Sequence, residues 1–254
     1  MAFYCKGVLL YVVLLLQTTK ISAQAENITR ADKQILNIYL IPGQGSDKRI
    51  FSKLELSDNY RLQYLNWIMP SEEDNMKSFA EKMAQQIDTT ENFALIGVSL
   101  GGMVAVELTA ILSPALTIIV SSAKNRGELP FRYRFQKFIP IYKKVPPYIY
   151  GLGSQIMQPL VEPDRKKQKA IFKAMLKDKD PAFLKRTTRI IMQWDRNETD
   201  QKIFHIHGDN DHTIPIRNVV DPIRMDGSSH MMILTEAEKL NSIIREILSS
   251  SNIY

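Results

Sequence analysis

Gly97-Val98-Ser99-Leu100-Gly101 sets a serine between glycines at the spacing of a sharp turn from a strand into a helix. Such a turn strains the serine backbone and crowds its neighbours, so small residues are required on either side. The hydroxyl is then lifted above the sheet. The following helix aims its amino end at the site and favours negative charge there. A neutral hydroxyl is a poor nucleophile: it needs a base to take its proton, and the base needs a carboxylate to hold its tautomer and stabilise its charge. The histidines are His205, His207, His212 and His230, with His230 the candidate base after a strand and a Gly-Ser-Ser turn, and Asp209 and Asp211 are carboxylates just past a strand-like end. His207, Asp211 and His212 also invite a metal reading. No further ligand set accompanies them, so a buried, hydrogen-bonded His207 and a solvated His212 are expected instead. His205 and His207 are read as facing opposite sides of their strand. Gly43 to Ser46 faintly resembles a phosphate loop, but no Gly-Lys-Ser/Thr follows.

The elements around these residues suit the turn. Phe93–Ile96 reads as a buried strand before it, and Met103–Leu112 as an apolar helix after it. Ile38–Ile41, Arg61–Trp67, Leu116–Val120, Ile203–Ile206 and Pro222–Met225 read as further strands. A helix is expected from Ser71, with Glu72, Glu73 and Asp74 in its first turn and Phe79, Met83 and Ile87 on one face. Another is expected from about Thr235 to Leu248, with Ala237, Leu240, Ile243, Ile244 and Ile247 inward. Strands alternating with helices predict an α/β fold: a mostly parallel sheet with helices on both faces. From 124 to 200 the rhythm breaks. Prolines recur there, helical pieces appear without a strand, and an inserted helical cap is expected.

Taken together, Tyr39 to Gly45 (Tyr-Leu-Ile-Pro-Gly-Gln-Gly), Gly97 to Gly102, His207-Gly208-Asp209-Asn210-Asp211, Ile214-Pro215 and Gly227-Ser228-Ser229-His230 resemble the α/β-hydrolase fold family, specifically its capped serine esterase and lipase-like members. The resemblance spans nearly all of the chain after residue 25, in the family's order of Ser, acid and His. It implies Ser99 as nucleophile, His230 as base and Asp211 as the acid, with Asp209 shaping the turn. It also implies the backbone N–H groups of Gln44 and Leu100 as the oxyanion hole. Many members carry His where this chain has Pro42, a departure that bears on loop shape and keeps the Gln44 N–H. The implied activity is carboxylic ester hydrolysis through an acyl-enzyme, with no cofactor. A serine nucleophile argues against dehalogenases and epoxide hydrolases of this fold, which use Asp at that position. Fold does not fix function. The alternatives are a non-catalytic small-molecule binder and an envelope-surface protein attached through a basic cap.

The rest of the chain bounds the setting. Lys6, an apolar run from Val8 to Leu16, and Ile21-Ser22-Ala23-Gln24-Ala25 describe an export signal over 1–25, cleaved after Ala23 or Ala25, with a periplasmic or extracellular destination. The hydrolase core is then expected over 26–123 and 201–254, with the cap over 124–200. The one cysteine, Cys5, falls in the signal, so neither a thiol nucleophile nor a cysteine metal site is expected after cleavage. Asn27-Ile28-Thr29 and Asn197-Glu198-Thr199 are glycosylation triplets only in a eukaryote. Between Lys124 and Arg189 there are 17 Lys and Arg against 5 Asp and Glu, so this segment is basic and the remainder acidic. A basic cap favours anionic small-molecule substrates or an anionic membrane surface. Ile171, Met175 and Leu176, ringed by lysines, give an interfacial stripe as one reading and a solvated Lys-rich face over core contacts as the other. The cap's aromatics, among them Tyr133, Phe135, Phe138, Tyr142, Tyr148, Tyr150 and Phe172, suit an acyl pocket or the cap's own core equally. Trp194 is expected to pack. Despite a pI near 9.2, no nucleic-acid motif accompanies the charge.

Overall fold

A computed structural model describes residues 36–150, 152, 165–178, 180–199 and 201–251. The expected export signal with Cys5, the Asn27 triplet, and the stretch holding Pro159, Pro163 and Asp164 lie outside those residues. In chain order the elements are β1 Leu36–Ile41, β2 Tyr60–Tyr64, α1 Met76–Ala84, β3 Phe93–Val98, α2 Leu100–Leu112 and β4 Leu116–Val120. Then come α3 Phe131–Arg134, α4 Lys169–Lys177, α5 Pro181–Gln193, β5 Phe204–Gly208, β6 Ile223–Met225, α6 Met232–Thr235 and α7 Ala237–Ser250. Short 3-10 turns join several of them. The described residues between β4 and β5 contain helices and turns but no strand.

All six strands pair in parallel, in the order β2-β1-β3-β4-β5-β6. A parallel sheet requires crossovers that cover both faces, so its inner strands are buried on both sides and run largely apolar instead of alternating. Every residue of β1, β3 and β4 is accordingly buried. The period of two still sorts them by face. Ile38, Leu40, Ile96, Ile118 and Val120 join Leu240, Ile244 and Leu248 of α7 in one core. Tyr39, Ile41, Leu95 and Ile119 join Phe79 and Met83 of α1 and Val104 and Leu108 of α2 in the other.

Two elements differ from expectation, and a third meets one of its two readings. β2 ends at Tyr64, short of Trp67. α1 begins at Met76, not Ser71, because Asn75 forms a capping box with Ser78. The acidic run precedes the helix, and Asp74 folds inward to accept hydrogen bonds from Ser71 N, Ser78 Oγ and Lys82 Nζ. In α4, Phe172 and Met175 are buried in the α7-side core with Ile171 against it, while the Leu176 side chain lies outside the described residues; Lys169, Lys173 and Lys177, with Lys166 and Lys167 just before the helix, stay exposed. The solvated-face reading therefore describes this helix.

α5 carries the chain back toward the sheet. Asp180 caps it by accepting from Ala182 N and Phe183 N, and Pro181 occupies its first turn, where a missing N–H costs nothing. Just after it, Trp194 is 1% exposed and donates its indole N–H to Glu107 of α2 at 2.7 Å. Arg196 donates to both oxygens of the same carboxylate, each at 2.9 Å. Burial by itself would raise the Glu107 pKa, but the hydrogen bonds from Arg196 and Trp194 and the Arg196 charge hold it below the ordinary value. Trp194 is thus a packing residue with a satisfied donor, as expected.

Candidate active site

The site is assembled from loops at the carboxyl ends of four strands: Gln44 beyond β1, Ser99 beyond β3, Asp211 beyond β5 and His230 beyond β6. β1 lies between β2 and β3, so the chain leaves it in one direction and returns on the other side. Ligands of open parallel sheets bind outside the strand carboxyl ends at such a switch point.

Ser99 has φ 54° and ψ −120°, a conformation that a side chain normally avoids. Its surroundings hold it there. Its N–H donates to Val120 O at 3.0 Å, and its carbonyl accepts from Ser122 Oγ at 2.7 Å and Gly102 N at 2.9 Å. The glycines permit this packing. A Cβ on Gly101 would stand 2.2 Å from Ile41 O and 2.3 Å from Pro42 O, and one on Gly97 would stand 2.3 Å from Gly101 O. The serine turn is therefore pressed directly on the end of β1.

Ser99, His230 and Asp211 form one hydrogen-bonded line. His230 Nε2 lies 2.9 Å from Ser99 Oγ, and His230 Nδ1 lies 2.7 Å from Asp211 Oδ2. With a carboxylate on Nδ1, that nitrogen carries the proton and Nε2 is free to accept from the hydroxyl. Asp211 is buried. Burial opposes its ionisation, but the electrostatic pull and hydrogen bond of His230, the neighbouring His207 and the Ile214 N–H outweigh it, and its pKa lies below the ordinary carboxylate value. Its other oxygen accepts from Thr213 N at 2.8 Å and Ile214 N at 2.9 Å. Asp209 is turned away: it accepts from Gly227 N and from Arg224 Nη2, tying the β5 turn to the β6 turn.

Leu100 follows Ser99 in the chain, and Gly43, just before Gln44, lies against it: a Cβ on Gly43 would stand 3.4 Å from the Ser99 Cβ. Leu100 is the first residue of α2, where an N–H has no intrahelical acceptor. Among the described residues, no turn, loop or cap backbone bond uses the N–H of Leu100 or of Gln44. The Gln44 side chain is committed elsewhere. Its Nε2 lies 2.8 Å from Thr187 Oγ1, 3.0 Å from Thr188 Oγ1 and 3.1 Å from Leu184 O, all on α5. The Gly43 carbonyl beside it accepts from Trp67 Nε1 at 3.1 Å and Ser46 Oγ at 2.8 Å.

One arrangement corrects the sequence reading. Residues two apart in a strand share a face, so His205 and His207 lie together, their rings 5.0 Å apart and edge to face. His207 Nε2 is 2.7 Å from Ile214 O and 3.4 Å from Asp211 Oδ2. Only a protonated Nε2 fits those acceptors, which leaves Nδ1 to accept from His205 Nε2 at 3.1 Å. His205 Nδ1 is then a buried lone pair, 3.8 Å from the buried Glu128 carboxyl. Burial lowers the pKa of both histidines, His205 more strongly, and raises that of Glu128. His212 is exposed, as expected.

No family model and no curated protein matches this sequence. Solved structures do. A thermophilic esterase from Thermogutta terrifontis is 16% identical with a TM-score of 0.63, covering 85% of this chain and 90% of its own. A carboxylesterase from the thaumarchaeon Nitrososphaera gargenis is 14% identical with a TM-score of 0.65, over 86% and 91%. An esterase from Rhodococcus is 17% identical with a TM-score of 0.60, over 87% and 93%. Likeness at that identity is likeness of fold.

Proposed function

We propose that this chain, which has the α/β-hydrolase fold, is a serine hydrolase acting on carboxylic esters or closely related acyl bonds. The observation that carries this reading is the unbroken line from Ser99 Oγ through His230 to a buried Asp211 carboxylate. Ser99 Oγ attacks the acyl carbonyl as His230 Nε2 takes its proton, and Asp211 stabilises the imidazolium. The N–H groups of Leu100 and Gln44 meet the oxyanion, fixed in place before the charge develops. His230 returns the proton to the leaving oxygen, and an acyl-Ser99 ester remains. Water, deprotonated by the same imidazole, releases the acid. These steps use no cofactor.

Hydrolysis of a p-nitrophenyl ester series from acetate to palmitate tests the reading. Ser99→Ala is expected to lower kcat by roughly five orders of magnitude or more, and the chain-length profile then gives the acyl class. A wild-type protein that turns over none of these esters and takes no label from a serine-directed fluorophosphonate would return the chain to the binder class. The N-terminal composition supports export as part of this proposal. Mass spectrometry of the released protein should find it starting at Gln24 or Glu26, and an intact N-terminus on an exported chain would count against cleavage.

A further inference from the structure

Of the twelve large apolar side chains exposed among the described residues, eight fall within 131–152. Phe138 is 79% exposed, Phe131 69% and Tyr148 66%. Exposed apolar residues scattered singly mean little, but a concentration of this kind marks an interaction surface. Short turns at 135–137 and 141–144, set between prolines, present these side chains without a long helix. Phe131, Phe135 and Phe138 line, with Arg126 and Arg134, an open groove of about 480 Å3.

The same stretch is basic. It carries Arg132, Arg134, Lys137, Lys143 and Lys144, all exposed, and no acidic residue occurs between Glu128 and Glu162. The ion pairs of the described residues use none of these five. Protein partners are matched by surfaces depleted in Lys. Aromatic and aliphatic side chains interleaved with Lys and Arg suit the headgroup region of an anionic bilayer. No described helix is long and apolar enough to cross a membrane, so contact through these residues would be peripheral.

We infer that residues 131–150 dock this protein on an anionic lipid surface. The surface differs from the side of α4 that carries Phe172 and Met175, which is buried. It also borders the active site: Arg132 Nη2 donates to His212 O at 3.2 Å and Thr213 O at 2.5 Å, in the loop that holds the Asp211 carboxylate. A docked protein therefore turns that rim of the site toward the bilayer. The inference stands on exposure and charge and does not require Ser99 to be a nucleophile.

The test uses the full chain with Cys5→Ser and Phe138→Cys, labelled at position 138 with an environment-sensitive fluorophore. It is mixed with phosphatidylcholine vesicles with and without roughly a third phosphatidylglycerol, at low and high salt. The expected result is a blue shift on anionic vesicles at low salt that fades with salt. Adding Lys137→Gln, Lys143→Gln and Lys144→Gln should weaken partitioning about a hundredfold, from roughly fivefold per charge near such a surface. Co-sedimentation with vesicles without a blue shift would assign attachment to another part of the chain and overturn the inference. So would a blue shift that follows protein concentration in the absence of lipid, which would give the surface to a second copy. Unaltered partitioning of Ser99→Ala keeps this outcome separate from that of the hydrolase reading.

Discussion

At the scale of single residues, the serine turn was legible because its demands are local: two glycines, a strand before and a helix after. The acid was not. Asp209 and Asp211 both follow β5, and spacing alone leaves the two open; the resemblance chose between them. The structure gives the physical difference. Asp211 is sealed against His230 and the N–H groups of Thr213 and Ile214, whereas Asp209 reaches sideways to Gly227 and Arg224. Replacing each by Asn should therefore have unlike effects. Asp211→Asn keeps an acceptor for Thr213 and Ile214 but presents the imidazole with the wrong tautomer, so kcat should fall about ten-thousandfold. Asp209→Asn should leave kcat within about tenfold, its role being to hold a turn. Steady-state rates on one short ester decide this, and similar losses in both variants would mean that the β5 turn acts as a unit. The His205–His207 pair was legible too, had the period of two been applied to it.

At the scale of elements, what escaped the sequence is what depends on contacts far along the chain. Gln44 and α5 are more than a hundred residues apart, yet α5 holds the loop after β1 through Thr187, Thr188 and the Leu184 carbonyl. Arg186 and Arg189 extend the clamp, donating to the carbonyls of Pro70, Ser71 and Asp74 just before α1. Nothing in the periodicity of α5 announces this, because a threonine on a helix reads the same whether solvated or bonded. The clamp gives the segment between β4 and β5 a role: α5 anchors the residue that carries one of the two proposed oxyanion donors. Gln44→Ala keeps the backbone N–H and removes only the anchor. The expected result is a fall in kcat of between about ten- and a hundredfold, since a donor misplaced by an ångström loses that much, with KM moving little. A kcat equal to wild type would show that the loop is held without α5. The start of α1 teaches a related lesson. Acid near a helix start is favourable, but Asn75 and Ser78 form a reciprocal cap, and two satisfied N–H groups outweigh the weaker pull of the helix dipole on exposed carboxylates.

At the scale of the whole molecule, the parallel sheet was legible because strands that are mostly apolar alternate with helices, the pattern of a sheet covered on both sides. The interior also contains something the pattern concealed, a buried row of titratable groups behind the site: Glu128, His205, His207 and Asp211. These set the acid limit of stability. Both histidines have depressed pKa values in the folded state. The unfolded chain takes up their protons as pH falls below about 6.5, the ordinary imidazole value, while the folded chain does not. Their contribution is complete above that pH and is lost as pH falls through the folded values. Glu128 runs the other way. Its pKa is raised, so its contribution is complete below the ordinary glutamate value and is lost as pH rises through the folded one. Below about pH 6.5, two histidines that protonate later in the folded chain than in the unfolded one act against one glutamate. Each proton bound differently changes stability by up to about 1.4 kcal/mol per pH unit. The net slope should be positive, stability rising with pH. His205→Gln retains an N–H for His207 Nδ1 and removes one titrating group, so it should flatten the slope. Glu128→Gln removes the opposing group and should steepen it. Urea unfolding followed by the fluorescence of Trp67 and Trp194 across that range measures both. If the two variants share the wild-type slope, the buried row does not govern acid stability, and the exposed carboxylates of the acidic half of the chain must.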